Sequence, residues 1–391
     1  MPHNRNRFVL SRLKEKLKFA RVVTVQGARQ TGKSFMVKEL FKQGTYTTLD
    51  KNSEKENAQK RLATFLSQLR DSTKTGPVII DEAQKVPELF DEIKSIVDED
   101  KRPGQFLLLG STEFSRENKI LESLTGRISR SRMFPLVLSE TLQLKKQGDV
   151  TGTKNKITRV DFIRFLKNGG FPAIFAIRNE NEREDRLNEW VKLTCERDVL
   201  QVKRLRPDPD LCMRIFESLS LIENPDVVSI ARRVNQSVRR VQTQLNALEQ
   251  IFAIHSLRPH PLSPGKTLYF HIDPSIVNFF KGDFQAQLDS AFLTEYMAKI
   301  SYNNLPRHNL SYFRGARGSR LSLLVERSPN DILAIKWINR ETFDKRDLSI
   351  LDACQKKLVT QKIKTKKIFV CGISEALNEG DVAVLPWEYL C

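Results

Sequence analysis

The sequence predicts an α/β chain whose first third carries a parallel sheet. Three observations predict it. The run Gly27-Ala28-Arg29-Gln30-Thr31-Gly32-Lys33-Ser34 fits the pattern G-x-x-x-x-G-K-[ST] with no mismatch. An apolar, β-branched run at residues 22–25 precedes it, and Phe35, Met36, Val37, Leu40 and Phe41 follow at helical spacing among Lys38, Glu39 and Lys42. Further on, Pro77-Val78-Ile79-Ile80-Asp81-Glu82 is an apolar strand closing on two acids.

The first of these carries the chemistry. Strand, glycine loop and helix let Gly27 and Gly32 curl the backbone, so that the N–H groups from Arg29, Gln30 and Thr31 onward converge on phosphate oxygens. The helix N-terminus adds its partial positive charge. Lys33 can then reach the β- and γ-phosphates of ATP, and Ser34 can hold Mg²⁺.

Composition bounds the rest. At 391 residues the chain is too long for one core, so two or three domains are expected. No apolar run approaches the ~18–20 residues that cross a bilayer. The basic N-terminus (Arg5, Arg7, Arg12, Lys14) lacks the apolar core of a signal peptide, and Phe8, Val9, Leu13 and Leu17 read as an amphipathic helix. Five scattered cysteines imply neither a disulfide framework nor a zinc site, and a reduced, cytoplasmic setting fits best. The net charge of +18 is spread along the chain and makes a polyanion such as nucleic acid the first physical suspect as partner. A basic, well-solvated surface with no partner accounts for it equally well.

Residues 1–150 read as a nucleotide domain. A short strand at residues 46–49 follows the phosphate-loop helix, and a polar helical stretch leads to the acid-tipped strand. There Asp81 is delivered to the magnesium shell, and Glu82 is placed to polarise water as general base. A helix at 88–97 precedes another buried strand, Phe106-Leu107-Leu108-Leu109, ending at Gly110-Ser111-Thr112. Ser111 and Thr112 both fit a γ-phosphate-sensing role, or the capping of a following helix. Thr112 enters the candidate set. Near the end of the domain Arg127, Arg130 and Arg132 cluster. Arg127 is the candidate for an arginine presented in trans to a neighbouring subunit's γ-phosphate, which implies a homo-oligomer; a solvated basic strand or a nucleic-acid contact explains it as well.

At this point the chain resembles a family of prokaryotic AAA+-type ATP-binding proteins with a C-terminal region of unknown function. The resemblance rests on GARQTGKS, VIIDEAQKVPELFDEIK, LLLGST, Leu124-Thr125-Gly126-Arg127 and FPLVLSE. It continues weakly through Gly169-Gly170-Phe171-Pro172, Leu248-Glu249, Leu257-Arg258-Pro259 and Leu385-Pro386. It implies a P-loop NTPase of ASCE/AAA+ type, followed by a helical and winged-helix domain and then an α/β restriction-endonuclease-like domain.

Residues 151–287 fit the second part. Helices at 158–167 and 184–204 flank the Gly-Gly-Phe-Pro turn. A short helix at 227–234, a turn at Asn235-Gln236-Ser237 and a second helix with Val238, Val241, Leu245, Leu248 and Ile251 inward have helix-turn-helix form. A strand at 252–254 and Leu268-Tyr269-Phe270 would make the wing. Arg239, Arg240, Gln242 and Gln244 are placed on the outer face, where they can meet DNA, although such modules also serve as plain packing units. His255, His260 and His271 read as ordinary strand and loop residues.

In residues 288–391 the implied nuclease shape lacks its acids. Ser322 stands where the metal-holding Asp belongs and Ala334 where the Glu belongs, leaving Lys336 alone, so no strand cutting is expected. Lys356, Lys357, Lys362, Lys364, Lys366 and Lys367 gather near one helix as a phosphate-contacting patch or a solvated helix end. The expectation is an ATPase, using ATP and Mg²⁺, whose nucleotide state controls its hold on a partner, DNA first, with no membrane role. An ATP-gated protein scaffold without nucleic acid is the alternative.

Overall fold

The computed structural model describes residues 5–73, 75–114, 126–152, 156–303, 305, 308–315 and 318–391; Leu124 and Thr125 of the motif series fall outside them. Two compact units emerge. One holds Arg7–Pro135 with Gln250–Phe252; the other holds Leu136–Glu249 and Ala253–Cys391, together with Arg5 and Asn6.

The first unit is built on five strands: β1 (Val22–Gln26), β2 (Thr45–Thr48), β3 (Val78–Asp81), β4 (Phe106–Gly110) and β5 (Ile128–Arg132). They lie in the order β2-β3-β4-β1-β5, and every pairing is parallel. β1 and β4 are buried along their whole length, which is why they read as nearly unbroken apolar runs. Helices α1 (Val9–Leu17), α2 (Lys33–Leu40), α3 (Asn52–Lys60), α4 (Leu62–Asp71) and α5 (Leu89–Glu99) accompany the sheet. One core joins Val22, Val78, Ile80, Phe106 and Leu108 to Phe65, Leu66, Leu89, Phe90 and Ile93. α1 buries Val9 and Leu13, and its Lys16 ammonium donates to the Arg130 carbonyl and the Ser131 hydroxyl of β5. Because β4 lies between β1 and β3, its carboxyl tip comes out between the glycine loop and the paired acids. In open parallel sheets that edge is where ligands bind.

The second unit carries an eight-stranded mixed sheet. Its members are β6 (Ile254–Pro259), β7 (Leu268–His271), β8 (Asn309–Arg314), β9 (Arg320–Ser328), β10 (Asp331–Trp337), β11 (Lys364–Cys371), β12 (Leu377–Glu379) and β13 (Val382–Pro386). The order is β12-β13-β11-β10-β9-β8-β6-β7. Helix Phe284–Tyr302 contributes Leu288, Phe292 and Tyr296 to the core, and it buries Lys299 completely. That ammonium donates to the carbonyls of Leu390 (2.8 Å) and Asp149 (3.1 Å), which pin loop and chain end to the helix.

Several local expectations are corrected. The expected helix at 184–204 is helix Glu180–Leu193, which loosens into a π turn at Thr194–Asp198 and short 3₁₀ turns to Leu205. Phe252 turns the chain at φ 59°, so the strand begins at Ile254. On helix Val238–Gln250, Val238 is 44% exposed, one turn ahead of the buried stripe. Gln244 belongs to that stripe, three residues after Val241. It is buried, with its amide oxygen accepting from the Asp208 N–H at 2.9 Å, so it is not on the outer face. Lys364–Lys367 open strand β11, and strand alternation buries Lys367 between Asp352 (2.9 Å) and Asp381 (2.7 Å).

The Gly-Gly-Phe-Pro turn has a packing reason. Gly169 has φ 70°, and a Cβ on it would overlap the Asp273 carboxylate, which accepts the Gly170 N–H (2.6 Å) and the Ser275 N–H (2.9 Å). Gly169→Ala is therefore expected to cost more than about 2 kcal/mol. Gly380→Ala, at φ 59° but in open space, is expected to cost about 1 kcal/mol. Thermal unfolding of the two variants checks the difference; equal losses would contradict the packing account.

Candidate functional site

The glycine loop leaves the end of β1 under tight constraint. A Cβ on Gly27 would overlap the Met133 carbonyl oxygen, so only glycine lets the loop pass the chain leaving β5. Gln30 (φ 60°) and Gly32 (φ 93°) make the left-handed turns that start α2. Gly32 caps that helix with no side-chain acceptor, so the first N–H groups of α2 face the loop. Thr31 is buried with its hydroxyl on the Ala28 carbonyl (2.9 Å), Arg29 is half-buried and Gln30 is exposed. Lys33 is buried, and its ammonium donates to the carbonyls of Gly27 (2.8 Å) and Ala28 (2.9 Å) at the loop's own mouth. From the other side Arg7 donates to the Thr31 carbonyl (2.8 Å) and to that of Phe134 (2.6 Å), fixing the loop to the chain after β5. Nothing in the sequence pattern singled out Arg7.

Asp81 is the hub. It is 4% exposed at the tip of β3, and its Oδ2 accepts from the Ser34 hydroxyl at 2.5 Å and from the Tyr46 hydroxyl at 2.6 Å. Its Oδ1 accepts from the Glu82 N–H at 3.0 Å. Burial, then the bond to Asp81, pushes the Tyr46 phenol well above its ordinary value and keeps it a donor. A hydroxyl and a carboxylate meeting in a mostly buried position are the hard oxygen donors that suit Mg²⁺. Among the described residues no separate cluster of His, Cys, Asp and Glu suited to a metal occurs.

Glu82 takes the left-handed conformation (φ 55°), a strained state for this residue type. Its Oε2 accepts from the Ser111 hydroxyl at 2.9 Å and from the Gln84 amide, which also reaches Ser111 at 3.2 Å. Of the two residues after β4, Ser111 turns its side chain to the acid. Thr112 is buried beside it and engages through its backbone: its carbonyl accepts the Gln26 amide at 2.8 Å.

The remaining candidates lie elsewhere. Arg127 precedes β5 at the amino-terminal end of the sheet, opposite the glycine loop, and clamps Asp98 with two guanidinium nitrogens. That clamp holds the Asp98 carboxyl below its usual range. Presenting Arg127 to another subunit's phosphate requires breaking it. Arg239 and Arg240 are exposed on helix Val238–Gln250, and Arg240 pairs with Asp208 at 2.6 Å. Lys357, on helix Ser349–Val359, lies over the Phe313 ring at 5.4 Å, while Lys356 is exposed on the same helix. In residues 288–391, Ser322 Oγ accepts from the Trp337 N–H (3.1 Å) and Ala334 is fully buried. Lys336 donates to the Arg320 carbonyl (2.9 Å). Asp289 is engaged by Arg320 and by the Trp337 indole N–H (2.6 Å).

Comparison with known proteins agrees with the first unit. Residues 20–142 match the model of an AAA domain, and residues 159–277 match a domain of unknown function (DUF8612). Uncharacterized proteins of Mycobacterium bovis and Mycobacterium tuberculosis are each 26% identical over 258 residues, 66% of this chain and 54% of the relative. The chain thus spans about half the length of the curated relatives it matches. An uncharacterized protein of Methanocaldococcus jannaschii is 29% identical over 128 residues, covering 30% of this chain and 29% of its own. Among solved structures, a Signal Transduction ATPase with Numerous Domains (STAND) protein with a tetratricopeptide repeat sensor, from Pyrococcus horikoshii, aligns over 73% of this chain and 44% of its own. Its identity is 14% and its TM-score 0.29, below the level of a shared overall fold. Fold and site together define the class: a P-loop, AAA-type nucleotide-binding domain, here joined to a second α/β unit. No described helix is long and apolar enough to cross a membrane.

Proposed function

We propose that this protein binds ATP with Mg²⁺ at the Gly27–Ser34 loop, hydrolyses it, and uses the nucleotide state to control its hold on a partner, with DNA as the partner its charge favours. One observation carries the ATPase reading. The Ser34 hydroxyl at the end of the loop and the Asp81 carboxylate, 47 residues on, meet at 2.5 Å with both donor types a magnesium–triphosphate needs.

In this reading the loop N–H groups and Lys33 bind the β- and γ-phosphates, for which the ammonium exchanges its two carbonyl partners. Ser34 and Asp81 hold the magnesium, which neutralises phosphate charge when bound. Glu82 takes a proton from the attacking water once Ser111 and Gln84 orient its carboxylate. Ser111, rather than Thr112, then senses the γ-phosphate. An arginine from another copy, Arg127 being the sequence candidate, would complete the charge stabilisation, worth about 10³–10⁵-fold where it is used. The second unit is read as a winged-helix and nuclease-like region that binds without cutting, since Ser322 and Ala334 supply no carboxylates.

A second reading, an ATP-gated protein scaffold, draws support from the basic residues already engaged. Arg240 is tied to Asp208, and Lys367 is buried between two acids.

Lys33→Ala is expected to abolish ATP binding in calorimetry, whereas Glu82→Gln keeps binding and loses at least about 10²-fold in turnover. Normal hydrolysis by the Glu82→Gln protein would sink the base assignment. Ser111→Ala is expected to slow turnover at least about tenfold with nucleotide affinity held, and Thr112→Val to change it less than about threefold. The reverse order in a phosphate-release assay would return the sensing role to Thr112. Duplex DNA binding should weaken steeply with salt, and Arg239→Ala with Lys356→Ala should flatten the slope by about two. Absence of binding at low salt favours the scaffold.

A further inference from the structure

The nucleotide reading uses Asp81 and Ser34 but leaves Tyr46 unexplained, and Tyr46 makes the second short side-chain contact to Asp81. Among the described strands β2 is an edge strand paired with β3, with Tyr46 opposite Ile79. Asp81 lies two residues past Ile79, on the same face. Strands lie about 4.8 Å apart and rise about 3.3 Å per residue, so the diagonal between such positions is about 8 Å, within reach of an aromatic side chain. The phenol spans it and ends 2.6 Å from Asp81 Oδ2, the same oxygen that receives Ser34. Above its ring sits the Lys38 ammonium, 4.1 Å from the centroid, carried by the second turn of α2. Tyr46 therefore ties the helix that starts at the glycine loop to the acid at the end of β3. A shorter hydroxyl side chain at this position would not reach, and phenylalanine would keep the packing but not the bond.

We propose that Tyr46 is a positioning residue for the metal. Its hydroxyl sets the rotation of the Asp81 carboxylate, and Lys38 over its ring carries that alignment to the phosphate-loop helix. With two O–H donors on Oδ2 and one N–H on Oδ1, the carboxylate plane is fixed before the metal–nucleotide arrives. When the Ser34 oxygen turns to the metal, Tyr46 remains as the side-chain bond that keeps the carboxylate from swinging away. This inference rests on the nucleotide reading above, yet it fails separately from it.

The test uses the full chain, wild type and Tyr46→Phe, with ATP affinity measured by calorimetry in EDTA and across a magnesium series. The variant is expected to bind ATP in EDTA within about twofold of wild type. It should need about tenfold more magnesium to reach its tight-binding state, the effect of removing one hydrogen bond to a charged group. Lys38→Met, altered at the surface, should shift the magnesium midpoint in the same direction by a smaller factor and keeps the test open if Tyr46→Phe does not fold. An unchanged midpoint in the folded variants overturns the proposal. So does an equal loss with and without magnesium, which marks Tyr46 as packing only. Wild-type protein that binds no ATP at all overturns the nucleotide reading itself, and this inference with it.

Discussion

The Asp81 carboxylate organises the first unit's chemistry. Three donors from three places in the chain converge on it: Ser34 from the glycine loop, Tyr46 from the edge strand, and the main chain of its own neighbour Glu82. A carboxylate at 4% exposure is costly to bury without partners, and these donors meet that cost. The same convergence gives the sheet its functional edge, since β1 and β3 must end together, beside β2, for the contacts to form. Parallel pairing in the order β2-β3-β4-β1-β5 makes them do so.

Strand order also explains why Glu82 is held as it is. With β4 between β1 and β3, Ser111 emerges beside the acid pair, and Gln84 reaches back from the turn after β3 to close the group. Loop, acids and the polar tip of β4 are thus three consequences of one topology. The chain after β5 adds a second constraint: Arg7 ties its Phe134 carbonyl to the Thr31 carbonyl of the loop, and its Met133 carbonyl forbids any side chain at Gly27.

Much of this site was legible in the sequence because each part is local. Eight residues specify the glycine loop, and three apolar residues closing on two acids specify the strand that faces it. What was not legible depends on phase and register. Ser111 and Thr112 are adjacent, and only where β4 stops decides which side chain meets Glu82. Tyr46 carries no motif; its role follows from its pairing opposite Ile79, which a single sequence does not fix. Gln244 looked like a surface residue until the helix phase put it with Val241, and Lys367 looked like part of a basic patch until strand alternation turned it inward. The second unit's sheet depends on non-local pairings such as β6 with β8, and no local pattern announces them.

The account is tested most directly by a crystal structure with a non-hydrolysable ATP analogue and Mn²⁺ in place of Mg²⁺, read through the manganese anomalous signal. The account predicts one strong peak beside the β- and γ-phosphates, with the Ser34 oxygen as ligand, the Asp81 carboxylate alongside, and the Lys33 ammonium moved from the loop carbonyls onto the phosphates. Nucleotide seated away from the Gly27–Ser34 loop, or a metal remote from Asp81, would contradict it.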